Sequence, residues 1–182
     1  SLEELQTRRE KILAAALSCF AEKGFQATKM LDIAHKVGMS VGNLYNYFKN
    51  KDEIVEKFAS QELERLIEKL KEEPIENKET ERDSLRRFIK ARLDAKHARI
   101  VLEVISETVR SERMANIVRQ FDHQWRKALL VAYERSGLSH EESRYRIERD
   151  MCILDGLSLR ILVHPTLDQD KLIDQICDLM MD

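Results

Sequence analysis

Asn43, Asn46 and Tyr47 stand at i, i+3 and i+4, a spacing that gathers three polar side chains on one face of a helix. Their chemistry suits recognition of a polar surface. An Asn amide can make two hydrogen bonds to an adenine edge, and a Tyr hydroxyl reaches phosphate oxygens. Leu44 and Phe48 occupy the opposite, apolar side of the same stretch. Val41 and Gly42 open it; they let a backbone come close and could touch a thymine methyl. Thr28, Lys29, Ser40, Tyr45 and Lys51 complete the candidate set, with Thr28, Lys29, Tyr45 and Lys51 expected to hold phosphates.

The flanking residues supply the elements that would position this face. Met30, Ile33, Ala34 and Val37 recur at helical spacing, with Thr28 as the expected N-cap. Gly38 follows the last apolar residue, where a helix commonly ends in the left-handed conformation. Ser40 can cap a second short helix over residues 41–48. Asn50 and Glu53 form a capping-box pattern that opens a further helix, placing Lys51 at its positive end, a favourable place for a phosphate. Two short helices joined by a tight Gly-containing turn make a helix-turn-helix, whose second helix enters the major groove. An ordinary helical hairpin would carry a Glu/Lys mixture on its outer face instead of this polar-aromatic one.

Residues 12–55 resemble the DNA-binding domain of the TetR family of bacterial transcriptional regulators. The pattern comprises Phe20 to Gly24, Thr28, then Asp32-Ile33-Ala34, then Gly38, then Ser-x-Gly-x-Leu-Tyr-x-x-Phe-x-x-Lys from Ser40 to Lys51. Lys29 departs from it, since a second small hydroxyl residue is usual there. The resemblance implies an all-α homodimer paired through its final two long helices as a four-helix bundle. It also implies an inducer inside the C-terminal bundle and a repressor released by ligand. Ile153 to Arg160 additionally resembles the Asp-Gly-Leu-x-Leu-Arg segment of the subgroup typified by the choline-responsive repressor.

Composition agrees with a helical protein. The 182 residues include two prolines and five glycines, both poor inside helices, and 43% are hydrophobic. No apolar run approaches the ~18 residues of a membrane span, and no signal peptide is visible. The chain opens on Ser1, which leaves room for an N-terminal arm ahead of it. The resemblance implies a bacterial protein, and a cytoplasmic location is expected: Cys19, Cys152 and Cys177 are scattered through helical patterns, as reduced thiols are. The net charge of −2 conceals a division. Residues 1–51 carry eight Lys/Arg against five Asp/Glu, and residues 52–182 carry twenty-three against twenty-eight. The excess of positive charge lies where phosphates would be met.

A division follows: a DNA-binding domain over residues 1–51, and a ligand-binding and dimerisation domain over residues 52–182. In the first, a helix over residues 2–23 underlies the helix-turn-helix. In the second, the spacing predicts helices over residues 51–71, 81–95, 97–110, 112–135, 141–164 and 168–181. Residues 71–84, with Pro74, read as a loop, and Thr80 as the next cap. The helix over 141–164 carries two apolar stripes. One, through Ile153, Leu154, Leu157 and Ile161, suits its own bundle. The other, through Cys152, Gly156, Leu159 and Val163, suits a second subunit, joined by Leu172, Ile173, Ile176 and Met180 of the last helix.

No catalytic constellation emerges. The five histidines show no metal-ligand spacing, and there is neither a Gly-rich phosphate loop nor a nucleophile elbow. No enzyme activity, metal or cofactor is expected. For a small-molecule pocket, Phe88, Phe121 and Trp125 could form an aromatic wall, with Arg92, Glu103 or Asp155 as polar anchors. A Trp face beside a carboxylate would suit a cation; simple core packing would explain the aromatics equally.

The expected protein is thus a homodimeric regulator that binds an inverted-repeat operator in duplex DNA, most simply a repressor released by a small-molecule inducer. Its reading helices would lie about 34–36 Å apart or somewhat more. A regulator without inducer that works through a protein partner remains as an alternative, as does a helical scaffold or enzyme with a vestigial helix-turn-helix. Lys51, if it holds a phosphate, should contribute about one unit to the salt slope of binding.

Overall fold

The computed structural model describes residues 2–72 and 78–181. Among these, nine helices and no strand occur: α1 (Leu2–Lys23), α2 (Met30–Val37), α3 (Val41–Tyr45), α4 (Lys51–Glu72), α5 (Lys78–Arg92), α6 (Ala95–Glu107), α7 (Glu112–Arg135), α8 (His140–Val163) and α9 (Gln169–Met181). The all-α expectation holds, and the helix ends differ by a few residues. Two differences are larger. The helix expected over 41–48 closes at Tyr45, and the chain turns from Asn46, whose N–H donates to the Asn43 carbonyl. The loop expected over 71–84 is already helical from Lys78, so Thr80 lies inside α5 and does not cap it. Pro74 lies outside the described residues.

The chain forms two compact units, residues 1–62 with 100–121, and residues 63–99 with 122–182. The first unit takes in more chain than residues 1–51. Its core is built on Ile12, Ala16, Cys19 and Phe20 of α1, Ile33 and Ala34 of α2, Leu44 of α3, and Ile54 and Val55 of α4. Met114 and Ile117 of α7 belong to the same core, and Val104 of α6 packs against it. The periodicity of α1 explains the first part: Ile12, Ala16, Cys19 and Phe20 recur every three or four residues and are at most 3% exposed.

In the second unit, Ile89, Leu93 and Ala98 pack with Leu154, Leu157 and Ile161 of α8 and with Ile173, Cys177 and Met180 of α9. A polar network lies among α5, α7 and α8. Arg146 donates to Glu81 at 2.7 Å and lies 4.9 Å from the ring centroid of Tyr133. The Tyr133 hydroxyl donates to Asp150 at 3.1 Å, and Arg149 donates to the other oxygen of that carboxylate at 3.0 Å. Burial pushes the Asp150 carboxyl and the Tyr133 hydroxyl above their usual ranges, and the two arginines oppose the shift at Asp150. On the surface, Arg82 and Arg86 of α5 pair with Asp178 and Asp174 of α9. Such exposed pairs contribute little singly.

Arg146 and Glu81 are each only 18% exposed at their side chains, so removing one leaves the other's charge poorly solvated. Arg146→Ala should therefore cost about 2 kcal/mol in a urea titration, whereas Arg82→Ala should cost under about 1 kcal/mol. Equal midpoints for both variants and the wild type would contradict the ranking.

Candidate nucleic-acid interface

The exposed face of α3 is held out by what lies beneath it. Leu44 is wholly buried and Phe48 is 3% exposed, and both are in the first core. Ser40 caps the helix, its Oγ accepting from the Asn43 N–H at 3.2 Å. Gly38 ends α2 at φ +77, as its position in the sequence suggested, with its N–H donating to the His35 carbonyl at 3.1 Å. The short turn between these two caps fixes the angle from α2 to α3. With Leu44 and Phe48 turned inward, Gly42, Asn43, Tyr45 and Asn46 face solvent, Tyr45 at 50% exposure. Val41 and Tyr47 are half-buried and pack against the core. Of the aromatic pair, Tyr45 is therefore the more available, and Tyr47 offers a partial edge.

Lys29 is exposed, just before α2, where its backbone N–H donates to the Asp32 carboxylate at 2.7 Å. Lys23 donates to the same carboxylate from the end of α1, at 2.9 Å, and this pairing holds the Asp32 carboxyl below its ordinary range. Thr28 differs from expectation. It is 1% exposed, and its hydroxyl donates to the Gly24 carbonyl at 2.7 Å, so it closes the α1–α2 loop and neither caps α2 nor faces a phosphate. Lys29 takes the N-cap position instead.

Lys51 also has a different setting. Its ammonium donates to the backbone carbonyls of Phe25 and Gln26 and lies 4.4 Å from the Phe25 ring centroid. Burial pushes its pKa down, with the Glu107 carboxylate opposing. The charge expected to meet a phosphate is spent on the loop between α1 and α2. The capping pattern around it is present in altered form: Asn50 Oδ1 accepts from the Glu53 N–H at 2.9 Å, while the Glu53 carboxylate accepts from the Lys49 N–H at 2.5 Å.

The loop Gly24 to Gln26 is gripped from a second side. Glu103 Oε2 of α6 accepts from the Phe25 N–H at 2.7 Å, and Glu107 Oε2 accepts from the Gln26 side-chain amide. Glu103 was a candidate ligand anchor; the carboxylate is instead committed to this loop in the first unit. Nothing in the sequence linked Glu103 to Phe25, 78 residues apart. Arg9 is a further residue that spacing did not single out: its guanidinium lies 6.0 Å from the Phe48 ring centroid, just past α3.

Residues 12–58 match the family model of the bacterial regulatory proteins, tetR family. The match identifies a tetR-family segment within the chain. The chain is 42% identical over 50 residues to the HTH-type transcriptional repressor KstR2 of Mycolicibacterium smegmatis, covering 28% of this chain and 24% of that protein. It is 30% identical over 84 residues to the fatty acid metabolism regulator protein of Bacillus subtilis, covering 46% of this chain and 43% of that one. The matches thus span less than half the length of these curated relatives. The fold extends further: the structure of the transcriptional regulator FadR from Bacillus subtilis, in complex with stearoyl-CoA, superposes with TM-score 0.79 at 19% identity, over 95% of this chain and 97% of that one. A transcriptional regulator from Rhodococcus superposes with TM-score 0.78 at 20% identity, over 95% and 93%.

Of the expected ligand residues, four gather in the second unit. Phe88 and Trp125 stack with ring centroids 6.2 Å apart, the Arg92 guanidinium lies 5.5 Å from the Phe88 centroid, and the Arg92 charge acts on Asp155, whose carboxyl burial raises. Phe121 belongs to the first unit. Of the expected dimer residues, Cys152, Gly156, Leu159 and Val163 are exposed along α8, Leu159 at 49% and Val163 at 66%. Leu172 and Ile176 are half-buried. Ile173 and Met180 are 1% and 2% exposed and lie in their own chain's core, which removes them from any surface shared with a second subunit.

Lys51→Ala should lower folded stability by about 1 kcal/mol, since two carbonyl contacts and a ring contact go with it. The salt slope of DNA binding should stay unchanged. A slope shallower by about one unit would restore the phosphate contact expected from the sequence.

Proposed function

We propose that the protein is a transcriptional regulator that binds an inverted-repeat operator as a homodimer through α3, and that a small molecule releases it. One observation carries the DNA-binding part: a capped helix and the turn after it, whose buried Leu44 and Phe48 leave Gly42, Asn43, Tyr45 and Asn46 as one solvent-facing surface, within the segment matched by the tetR family model. Asn43 and Asn46 are suited to base edges, Tyr45 and Lys29 to phosphates, and Gly42 to close approach. Arg9, Lys29 and Lys49 supply positive charge around the reading segment.

The exposed strip Cys152, Gly156, Leu159 and Val163 on α8 supports pairing of two chains there, with no side chain in the way at Gly156. Two-fold pairing sets two reading helices on one duplex and makes the operator a palindrome. The aromatic pair Phe88 and Trp125, with Arg92 and Asp155 beside it, is the proposed inducer-contacting group, and the stearoyl-CoA complex of a protein of the same fold supports a small-molecule ligand. A ligand that binds better to the dimer with its reading heads wrongly spaced would shift the population away from the DNA-competent form. Repression is the favoured outcome, supported by the repressor KstR2 among the relatives.

Selection from a pool of random duplexes at two salt concentrations tests this directly. A palindrome should be enriched, bound by two chains per duplex. Enrichment of no sequence, with salt-sensitive binding to all, would contradict operator recognition and favour a regulator that needs a protein partner. Once an inducer is in hand, Trp125→Ala should weaken its release of DNA by about tenfold, as expected when a stacked aromatic contact is lost. An unchanged inducer response would remove Trp125 from the binding group.

A further inference from the structure

The grip of α6 on the α1–α2 loop is not explained by stability alone. Gly24, Phe25 and Gln26 leave α1 and lead to α2. Gly24 takes φ +83, and a Cβ there would lie 3.1 Å from Glu103 Oε2. The glycine thus permits both the left-handed turn and the close approach of a carboxylate. That carboxylate accepts from the Phe25 N–H at 2.7 Å. One turn further along α6, Glu107 is 3% exposed, accepts from the Gln26 side chain and is paired with Arg110 at 3.2 Å. Lys51 holds the carbonyls of the same residues from α4. Thr28 closes the loop on itself through the Gly24 carbonyl. Two successive residues, Phe25 and Gln26, therefore have their polar groups held from two other helices, and Gly24 is held from within the loop.

Two carboxylates set against this head are unfavourable for a protein that meets a polyanion. Their retention within hydrogen bonds to the loop calls for a role that outweighs the repulsion. Loop position determines where α2 begins, because α2 starts at Met30, just after the Thr28 closure. The Gly38 and Ser40 caps then carry that position on to α3.

We propose that Glu103 and Glu107 are positioning residues for operator binding: by holding the loop Gly24 to Gln26 they fix the frame on which α2 and α3 present their polar face. The proposal rests on the DNA-binding function proposed above. Charge and positioning give opposite signs. If the carboxylates act only as charges, Glu103→Ala and Glu103→Gln remove the same charge and both bind DNA as tightly as wild type or more tightly. If they position the loop, Glu103→Gln keeps an acceptor for the Phe25 N–H and stays near wild type, while Glu103→Ala does not.

Two measurements decide it. Amide hydrogen exchange on the DNA-free protein should show residues 25–45 of Glu103→Ala exchanging about tenfold faster or more, with Glu103→Gln near wild type and the core of α1 unchanged in all three. On the duplex enriched by selection, Glu103→Ala should lose about tenfold in affinity, the order of one charge-assisted hydrogen bond. Its affinity for a scrambled duplex of the same length should hold. Glu107→Ala should follow in the same direction and serves as the comparison if Glu103→Ala does not fold. The proposal is overturned if both alanine variants exchange as wild type, or if they bind the enriched duplex as tightly as wild type. A wild type that enriches no duplex overturns the DNA-recognition proposal, and this one with it, before any variant is compared.

Discussion

The first unit depends on holding a short loop that has no regular structure of its own. Residues 24–28 cannot satisfy their backbone groups with each other, and buried polar groups left unpaired are costly. The solution is distributed. Glu103 takes the Phe25 N–H, Lys51 takes the carbonyls of Phe25 and Gln26, and Thr28 takes that of Gly24. The Phe25 side chain is buried against Phe20, with ring centroids 5.1 Å apart, so the loop is fixed by packing as well as by polar contacts. With the loop fixed, the caps at Gly38 and Ser40 leave α3 little freedom. The exposed polar face is then a consequence of which residues remain outside: Leu44 and Phe48 go in, and Asn43, Tyr45 and Asn46 stay out.

Much of this was legible in the sequence, for identifiable reasons. Local rules are short-range, and local features obeyed them. Gly38 and Ser40 cap where their types and spacing predicted, the periodicity of α1 named its buried stripe, and that of α8 named Leu154, Leu157 and Ile161 as buried, with Ile153 half-buried beside them. What the sequence did not disclose was long-range pairing. Glu103 suited a ligand anchor by type, yet it and Glu107 have partners 78 and 81 residues away. Lys51 suited a phosphate by its place at the start of α4. Its partners are carbonyls, which every residue has and no pattern reveals. Thr28 suited a cap by type, but its hydroxyl found the Gly24 carbonyl four residues back. Ile173 and Met180 share a helical stripe with Leu172 and Ile176; a stripe shows what is apolar and not which chain covers it.

The charge pattern gains a finer meaning as well. The positive excess of residues 1–51 is not uniformly available. Lys23 and Lys36 are paired with Asp32 and Glu22, and Lys51 is bound to the loop. Exposed Lys29 and Lys49, with Arg9 beside Phe48, remain around the polar face. Phosphate contacts position a reader on the duplex, and base contacts give it sequence preference. Dividing the cations into loop-holding and solvent-facing groups therefore separates what builds the head from what it offers to DNA.

Asn43 of α3 and Asn46 at its C-terminal end are the residues proposed to read base edges. A double-mutant cycle tests this role most directly: wild type and Asn43→Ala, each titrated against the enriched duplex and against duplexes changed symmetrically at one base pair per half-site. At one position, Asn43→Ala should become indifferent to the base, with a coupling of about 1–3 kcal/mol. Additive losses at every position would place Asn43 off the base edges and contradict the proposal.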